Sequence, residues 1–156
     1  MPVAYYDTSY VESIDDRRST RGHVFLAHGT AICRKSRKQS SVSKSTTEAE
    51  YVECSESASE AVFLRMLAGE LRFPWPQQAT LRVGTDSQGA KALVKAQSTK
   101  CRTKHIDIHY HYVREPMAEK KVDFEFVGTD EQVADFLTKP LPRAKHEFCI
   151  NACGLS

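Results

Sequence analysis

Val3 to Asp7 alternates so that Val3, Tyr5 and Asp7 share one face, which reads as a strand. A polar stretch, Glu12–Arg21, follows and closes on Gly22. His23–Ala27 reads as a second strand, His28-Gly29 as a tight turn, and Thr30–Arg34 as a third strand. Three strands on short links predict an antiparallel meander. The pattern changes at Ser45-Thr46-Thr47-Glu48, which has the form of a capping box: a hydroxyl accepts from a free N–H of the first turn while the glutamate reaches back. Helical spacing then runs to Leu71, with Ala61, Leu64, Ala68 and Leu71 as the predicted core-facing stripe and Pro74 and Pro76 as the stop. Thr80–Thr85 reads as a short strand that leads through Asp86-Ser87 into a helix ending at Lys95. Ile106–Ala118 is mixed, and Pro116 limits any helix there. Val122–Val127 alternates, with Val122, Phe124 and Phe126 set against Asp123, Glu125 and Val127. Gln132–Thr138 reads as a short helix stopped by Pro140, and Arg143–Cys153 as a last helix before Gly154. The order β-β-β-α-β-α-(α)-β-α describes a mixed α/β domain. The helical crossover after the third strand predicts parallel pairing for the later strands.

Composition narrows the class. The chain has 156 residues and 17.6 kDa, the size of one domain spanning 1–156, and 40% hydrophobic with 27% charged residues excludes collagenous and disordered chains. No run approaches the apolar length that spans a bilayer, and Met1-Pro2-Val3-Ala4-Tyr5-Tyr6-Asp7 lacks the regions of a secretory signal. Five cysteines without paired spacing fit a reducing, intracellular compartment. A net charge of +2 names no partner, but its distribution is informative. Arg34, Lys35, Arg37, Lys38 and Lys44 form one basic cluster; Lys95, Lys100, Arg102 and Lys104 form another. Acids gather between them, at Glu48–Glu60, and later at Asp123–Asp135. Each basic run alone reads as a solvated loop. Two runs around an acidic centre point to a phosphate-bearing ligand.

Four acids sit where strands end or helices begin. Asp7 closes the first strand, Glu50 lies in the first turns of the long helix, Asp86 closes the fourth strand, and Asp135 follows the fifth. Carboxylates without cysteine or histidine favour hard Mg²⁺ or Mn²⁺. A pair of such ions, about 3.5–4 Å apart, would neutralise the acids and clamp a phosphodiester. Singly, each acid also has an ordinary role: Asp7 can bond loop amides, Glu50 suits the helix dipole, and Asp86 can cap its helix. Spacing leaves both readings open. Cys101, His105 and His109, spaced four apart with His111 nearby, have zinc-ligand types, against packing or surface roles for the histidines. Tyr5, Tyr6, Tyr110 and Tyr112 could stack on bases, although tyrosines in such elements usually pack at core edges.

Lys44-Ser45-Thr46-Thr47-Glu48-Ala49-Glu50-Tyr51 resembles the S-x-T-E-A-E-Y signature of the ribonuclease H domain in Pol polyproteins of copia-type (Pseudoviridae) LTR retrotransposons. Asp15–Gly22, Lys38-Gln39, Thr103–Ile108 and Ala134–Leu141 resemble further motifs of that family, in its order and over essentially the whole chain. The resemblance implies a ribonuclease H-like fold, a five-stranded sheet with three antiparallel then two parallel strands flanked by helices. It implies endonucleolytic hydrolysis of the RNA strand of RNA·DNA hybrids during reverse transcription, with two Mg²⁺ ions, or Mn²⁺ in their place. An upstream reverse transcriptase domain and a cytoplasmic virus-like particle, with some nuclear presence, are expected with it. Carried over by position, Asp7, Glu50, Asp86 and Asp135 are the catalytic and metal-holding acids, with Asp7 bridging the ions and Asp135 on the nucleophile side. Ser9, Ser87 and Gln88 stand near them for hydrogen bonds to the hybrid. The two basic clusters, including Lys100, Arg102 and Lys104, would grip phosphates.

The sequence also departs from the wider family. The loop Gly128–Gln132 has no histidine, Asp7-Thr8-Ser9 replaces a more usual D-A-D run, and Cys33-Arg34 stands where Ser-Trp is usual. These departures define a second reading, a ribonuclease H-like module that binds nucleic acid or protein without turnover. A transposase or integrase nuclease of the same superfamily takes an acid from a late helix, whereas Glu50 comes second in order here.

Overall fold

A computed structural model describes residues 3–9, 19–38, 46–74, 79–87 and 112–155, with the side chains of 46–51 outside the description. The strands are β1 (Val3–Ser9), β2 (Thr20–Ala27), β3 (Thr30–Lys38), β4 (Leu81–Thr85) and β5 (Val122–Phe126). They form one sheet in the order β3-β2-β1-β4-β5. β1–β2 and β2–β3 are antiparallel, while β1–β4 and β4–β5 are parallel. This is the mixed sheet that the hydrophobic pattern and the resemblance both imply. Helix α1 is Thr46–Glu70, α2 covers 112–118, and α3 is Arg143–Ala152, preceded by 3₁₀ turns at Thr129–Glu131 and Val133–Leu137. None of the described helices is long and apolar enough to cross a membrane.

Alternation along the strands supplies both faces of the sheet with a core. Ala4, Tyr6, Phe25, Val83 and Phe124 face α1 and α2, where Cys54, Ala58, Ala61 and Ala68 let the helix lie close. Tyr5 and Val24 face the other way and pack with Val133, Ala134, Leu137 and Cys153. The chain is therefore three layers deep.

Several boundaries and burials differ from expectation. Leu71, predicted on the α1 stripe, is 69% exposed. At 100° per residue it lies about 80° off the line of Ala61, and it follows the end of the helix beside Arg72, whose φ is +50°. Phe126, predicted with Val122 and Phe124, is 41% exposed because it ends an edge strand. β2 starts at Thr20 and β3 runs to Lys38, since Ser9, Thr20 and Lys38 continue the ladder. The first basic cluster is thus largely an edge strand and not a loop. The predicted helix at Gln132–Thr138 is a 3₁₀ turn. His28 and Gly29 both have positive φ, +53° and +76°, as a primed hairpin turn requires. The capping Ser45, the helix expected up to Lys95 and the Cys101/His105/His109 group lie outside the described residues.

Candidate active site

β1 and β4 are parallel neighbours, so their carboxyl ends meet at one edge of the sheet. Asp7 stands near the end of β1, and Asp86 directly follows β4. The third acid arrives on the turn Val133–Leu137, and buried polar groups fix its position. Gln132 is fully buried; its Oε1 accepts from the Ala134 N–H at 3.3 Å, and its Nε2 donates to the Tyr6 carbonyl at 2.9 Å. One side chain thereby caps the turn and fastens it to β1 a residue before Asp7. Across the sheet, Asp7 pairs with Gly22 and Gly22 with Ser36. A Cβ on Gly22 would stand 2.6 Å from the Leu137 Cβ and 3.0 Å from the Thr138 Cγ2, so glycine lets the turn settle on the sheet. Ser36 Oγ donates to the Leu137 carbonyl at 2.6 Å.

The result is a cluster in which Asp7, Asp86 and Asp135 each offer a carboxylate oxygen, all within 4.8 Å of one another. Asp7 and Asp135 are buried and Asp86 is partly exposed. The Thr138 hydroxyl donates to Asp7 Oδ2. Lys139 Nζ lies 2.9 Å from Asp135 Oδ1 and 3.7 Å from Asp7 Oδ2. Lys145 Nζ is 4.0 Å from Asp135 Oδ2, but donates to the carbonyls of Thr129 (2.8 Å) and Asp130 (2.6 Å).

Crowding shows in the protonation equilibria. Burial pushes the Asp7 carboxyl above its ordinary value, and the Asp135 charge adds to this against the Thr138 hydrogen bond and Lys139. Asp86 is likewise raised by burial and then by the Asp7 charge. Burial disfavours charge on Lys139, yet its hydrogen bond to Asp135 and the charges of Asp7, Asp135 and Asp86 outweigh that and raise it. An all-oxygen donor set of this charge fits a hard divalent cation such as Mg²⁺ or Mn²⁺.

The other candidates separate by position. Glu50 is on α1, with its side chain outside the description. Ser9 and Ser87 lie at the same sheet edge as the acids, and the Ser87 N–H bonds Thr85 Oγ1 at 3.1 Å. Gln88, Lys44, Lys95, Lys100, Arg102 and Lys104 are outside the described residues. The β3 cluster is split by alternation. Arg34 and Lys38 share the face of Ser36 and the acids, while Lys35 points to α1 and pairs with Glu56 at 3.3 Å. Arg37 shares the Lys35 side of the strand.

Gln132, Thr138, Lys139 and Gly22 are site residues that sequence reasoning passed over. A glycine inside a strand pattern flags close approach, and Asp135-x-x-x-Lys139 has the spacing of a helical ion pair. A second charged cluster lies beneath α1, with His23 Nδ1 2.8 Å from Glu53 Oε1 and Arg21 Nη1 2.7 Å from Glu56 Oε1. Arg21 Nε is 3.8 Å from Glu53 Oε2, and burial raises the Glu53 carboxyl against its bond to His23.

No protein-family model matches the chain. The retrovirus-related Pol polyprotein from transposon TNT 1-94 of Nicotiana tabacum is 38% identical over 151 residues, which is 97% of this chain and 11% of the relative. That from transposon RE1 of Arabidopsis thaliana is 31% identical over 153 residues, 98% of this chain and 10% of the relative. The chain therefore spans about a tenth of the length of these curated relatives. Among solved structures, the N-terminal RNase H domain of a Mycobacterium tuberculosis protein matches with TM-score 0.63 at 15% identity, over 94% of this chain and 96% of that one. A compost metagenome RNase H in complex with an RNA/DNA hybrid matches with TM-score 0.64 at 13% identity, over 88% and 94% of the two chains. The prototype foamy virus protease-reverse transcriptase covers 99% of this chain with 20% of its own, at TM-score 0.56 and 16% identity.

Proposed function

The chain belongs to the family of retrovirus-related Pol polyproteins of copia-type transposons and has a ribonuclease H fold, and from that we propose that it hydrolyses the RNA strand of RNA·DNA hybrids in reverse transcription. The observation that carries this reading is the convergence of Asp7, Asp86 and Asp135 to within 4.8 Å at one sheet edge, with oxygen as their donor atom.

These three acids, joined by Glu50 on the strength of the family resemblance, would hold two Mg²⁺ ions. Such ions, when bound, lower the pKa of a water and neutralise charge on a phosphodiester. The chain's own residues do the positioning. Thr138 orients the Asp7 carboxylate, Gln132 fixes the turn that carries Asp135, and Gly22 admits that turn to the sheet. Ser9 and Ser87 border the acids, where hydroxyl groups can meet the 2′-hydroxyls that distinguish RNA from DNA. Arg34 and Lys38 offer charge for phosphates on the same face, about 10 Å from β1 across two strand spacings. The solved hybrid complex of a similarly folded enzyme supports the substrate class. The foamy virus chain supports a reverse transcriptase domain joined to this one. Work inside a cytoplasmic virus-like particle follows from that role.

Asp86→Asn tests the reading. It should lower Mg²⁺-dependent cleavage of a labelled hybrid by at least ~100-fold, about 2.7 kcal/mol of barrier, with an unchanged circular dichroism spectrum. Equal cleavage by wild type and variant would overturn it. The Lys139 ammonium among the acids favours one alternative, a binding module without turnover. Hybrid binding with no cleavage in either Mg²⁺ or Mn²⁺ would select that alternative.

A further inference from the structure

Lys139 occupies an unusual place for a lysine. It follows Thr138, whose hydroxyl holds Asp7, and precedes Pro140, so its backbone is constrained while its long side chain reaches back over the acids. Its ammonium stands 2.9 Å from Asp135 and 3.7 Å from Asp7, beside two carboxylates of the three-acid cluster. We propose that Lys139 is a built-in counter-cation that offsets part of the charge of the acid cluster in the metal-free protein and competes with divalent ions for the same carboxylates. The proposal rests on the metal-dependent reading above and adds a residue that sets how strongly metal binds.

An ammonium that donates to a carboxylate and a metal ion that coordinates it compete for the same group. A Mg²⁺ ion takes an oxygen ligand at about 2.0–2.1 Å and displaces a donor that uses the same lone pair. Charge repulsion between ammonium and ion at such separations is strong in a partly buried site. Metal entry therefore requires the ammonium to leave. Lys139 is suited to leaving, because its charge is a compact head on a flexible stem and its side chain is 27% exposed. Lys145 is the contrasting case: two backbone carbonyls hold its ammonium, 4.0 Å from Asp135. The acids are thus kept together before metal arrives, at the expense of affinity for it.

The test is a Mn²⁺ titration, with free ion followed by electron paramagnetic resonance, on wild type, Lys139→Gln and Lys139→Arg. Thermal midpoints in EDTA and in Mn²⁺ accompany it. Lys139→Gln should bind Mn²⁺ at least about fivefold more tightly than wild type, since one opposing charge beside the site is gone. Its midpoint should be lower than wild type in EDTA and rise further on adding Mn²⁺. Lys139→Arg, which keeps the charge, should bind Mn²⁺ no more tightly than wild type. Damage to the site would weaken binding, so tighter binding cannot come from a loss of structure. Unchanged or weaker affinity in Lys139→Gln, or no binding by either protein, overturns the proposal. If Lys139→Gln does not fold in EDTA, Lys139→Arg decides, because tighter binding by the arginine variant also overturns it. A wild type that binds Mn²⁺ and cleaves hybrid while Lys139→Gln shows no gain sinks this proposal alone. Tighter binding by Lys139→Gln with cleavage by neither protein supports the counter-cation and removes the nuclease reading.

Discussion

Beneath α1, Arg21 and Lys35 meet Glu53 and Glu56, and His23 bonds Glu53. On the opposite face, Asp7, Asp86 and Asp135 crowd together, and among the described residues the cations within 4.0 Å of them are Lys139 and Lys145. The first cluster pairs its charges with partners from β2, β3 and α1, although Arg21 Nε, His23 Nε2 and Glu53 Oε2 are buried without a hydrogen bond. Such a network is structural: breaking a buried pair leaves a charge without compensation, at about 3–5 kcal/mol. In the second cluster, acids outnumber the cations that touch them, and one of those cations is committed to backbone carbonyls. Burial without balance is tolerable where a ligand supplies the missing charge. The two faces belong to one sheet, yet one cluster is closed by its own ion pairs and the other is left with an excess of acid, which is what the proposed metal-dependent role requires.

The widest test of this contrast exchanges a damaged charge on each face. Asp135→Asn should reduce hybrid cleavage by about 10³-fold, roughly 4 kcal/mol of barrier, while urea denaturation in EDTA changes by less than ~1 kcal/mol. Lost repulsion of Asp7 there offsets the lost pairing with Lys139. Glu53→Gln should behave oppositely, costing about 3 kcal/mol of stability and leaving cleavage by the folded protein within about twofold. A Glu53→Gln variant that is stable but inactive would break the division of labour.

A smaller effect is expected where the two layers touch. Gly22→Ala places a Cβ against Leu137 and Thr138, which must lift the turn carrying Asp135. Overpacking of this kind costs about 1–3 kcal/mol. On the role proposed for Asp135, its displacement should lower cleavage about tenfold, or ~1.4 kcal/mol. Urea melts and cleavage rates on the same preparation measure both.

Proton linkage sharpens the contrast further. The carboxyls of Asp7 and Asp86 are raised in the folded protein, first by burial and then by neighbouring charge. Their folded forms hold protons more readily than the unfolded chain, so their contribution is full below the ordinary aspartate range and lost as pH rises through the raised values. In EDTA, wild type should therefore gain stability relative to Asp86→Asn as pH falls from neutral towards that range. Saturating Mg²⁺ should flatten this difference, because the ion favours the ionised carboxylates. An opposite slope in paired thermal melts would show that these acids are not crowded.

The smallest effect concerns β3. Arg34→Ala should reduce the slope of log affinity for hybrid against log salt by about 0.7–0.9, the signature of one lost phosphate contact. Lys35→Ala should leave that slope unchanged and alter stability by less than ~1 kcal/mol, because its partly exposed pair with Glu56 lies on the other face. Equal slopes for the two variants would mean that the split of the basic cluster has no bearing on binding.

Strand identity was legible wherever alternation met a buried face, as in Val3–Asp7 and Val122–Phe126. The boundaries of β2 and β3 were not, because Thr20–Gly22 and Lys35–Lys38 are polar and extend the sheet through ladder bonds that periodicity does not record. At the site, Asp7, Asp86 and Asp135 could be read in advance only through the family resemblance of the segments that carry them, since their positions near strand ends also suit ordinary capping and loop roles. Gln132 and Gly22 could not, because their roles depend on groups far along the chain, the Tyr6 carbonyl for one and the Leu137 side chain for the other.

Sequence by itself determined the order of elements, which follows from local periodicity, while the choice of acids among many came from the family resemblance of the segments that carry them. Tertiary structure decided which charges would be neighbours. Arg34 and Lys35 adjoin in the chain but face opposite layers, whereas Asp7 and Thr138, distant in sequence, share a hydrogen bond. Charge compensation acts through space, so a balanced cluster and an unbalanced one become distinguishable only when the sheet brings their members together.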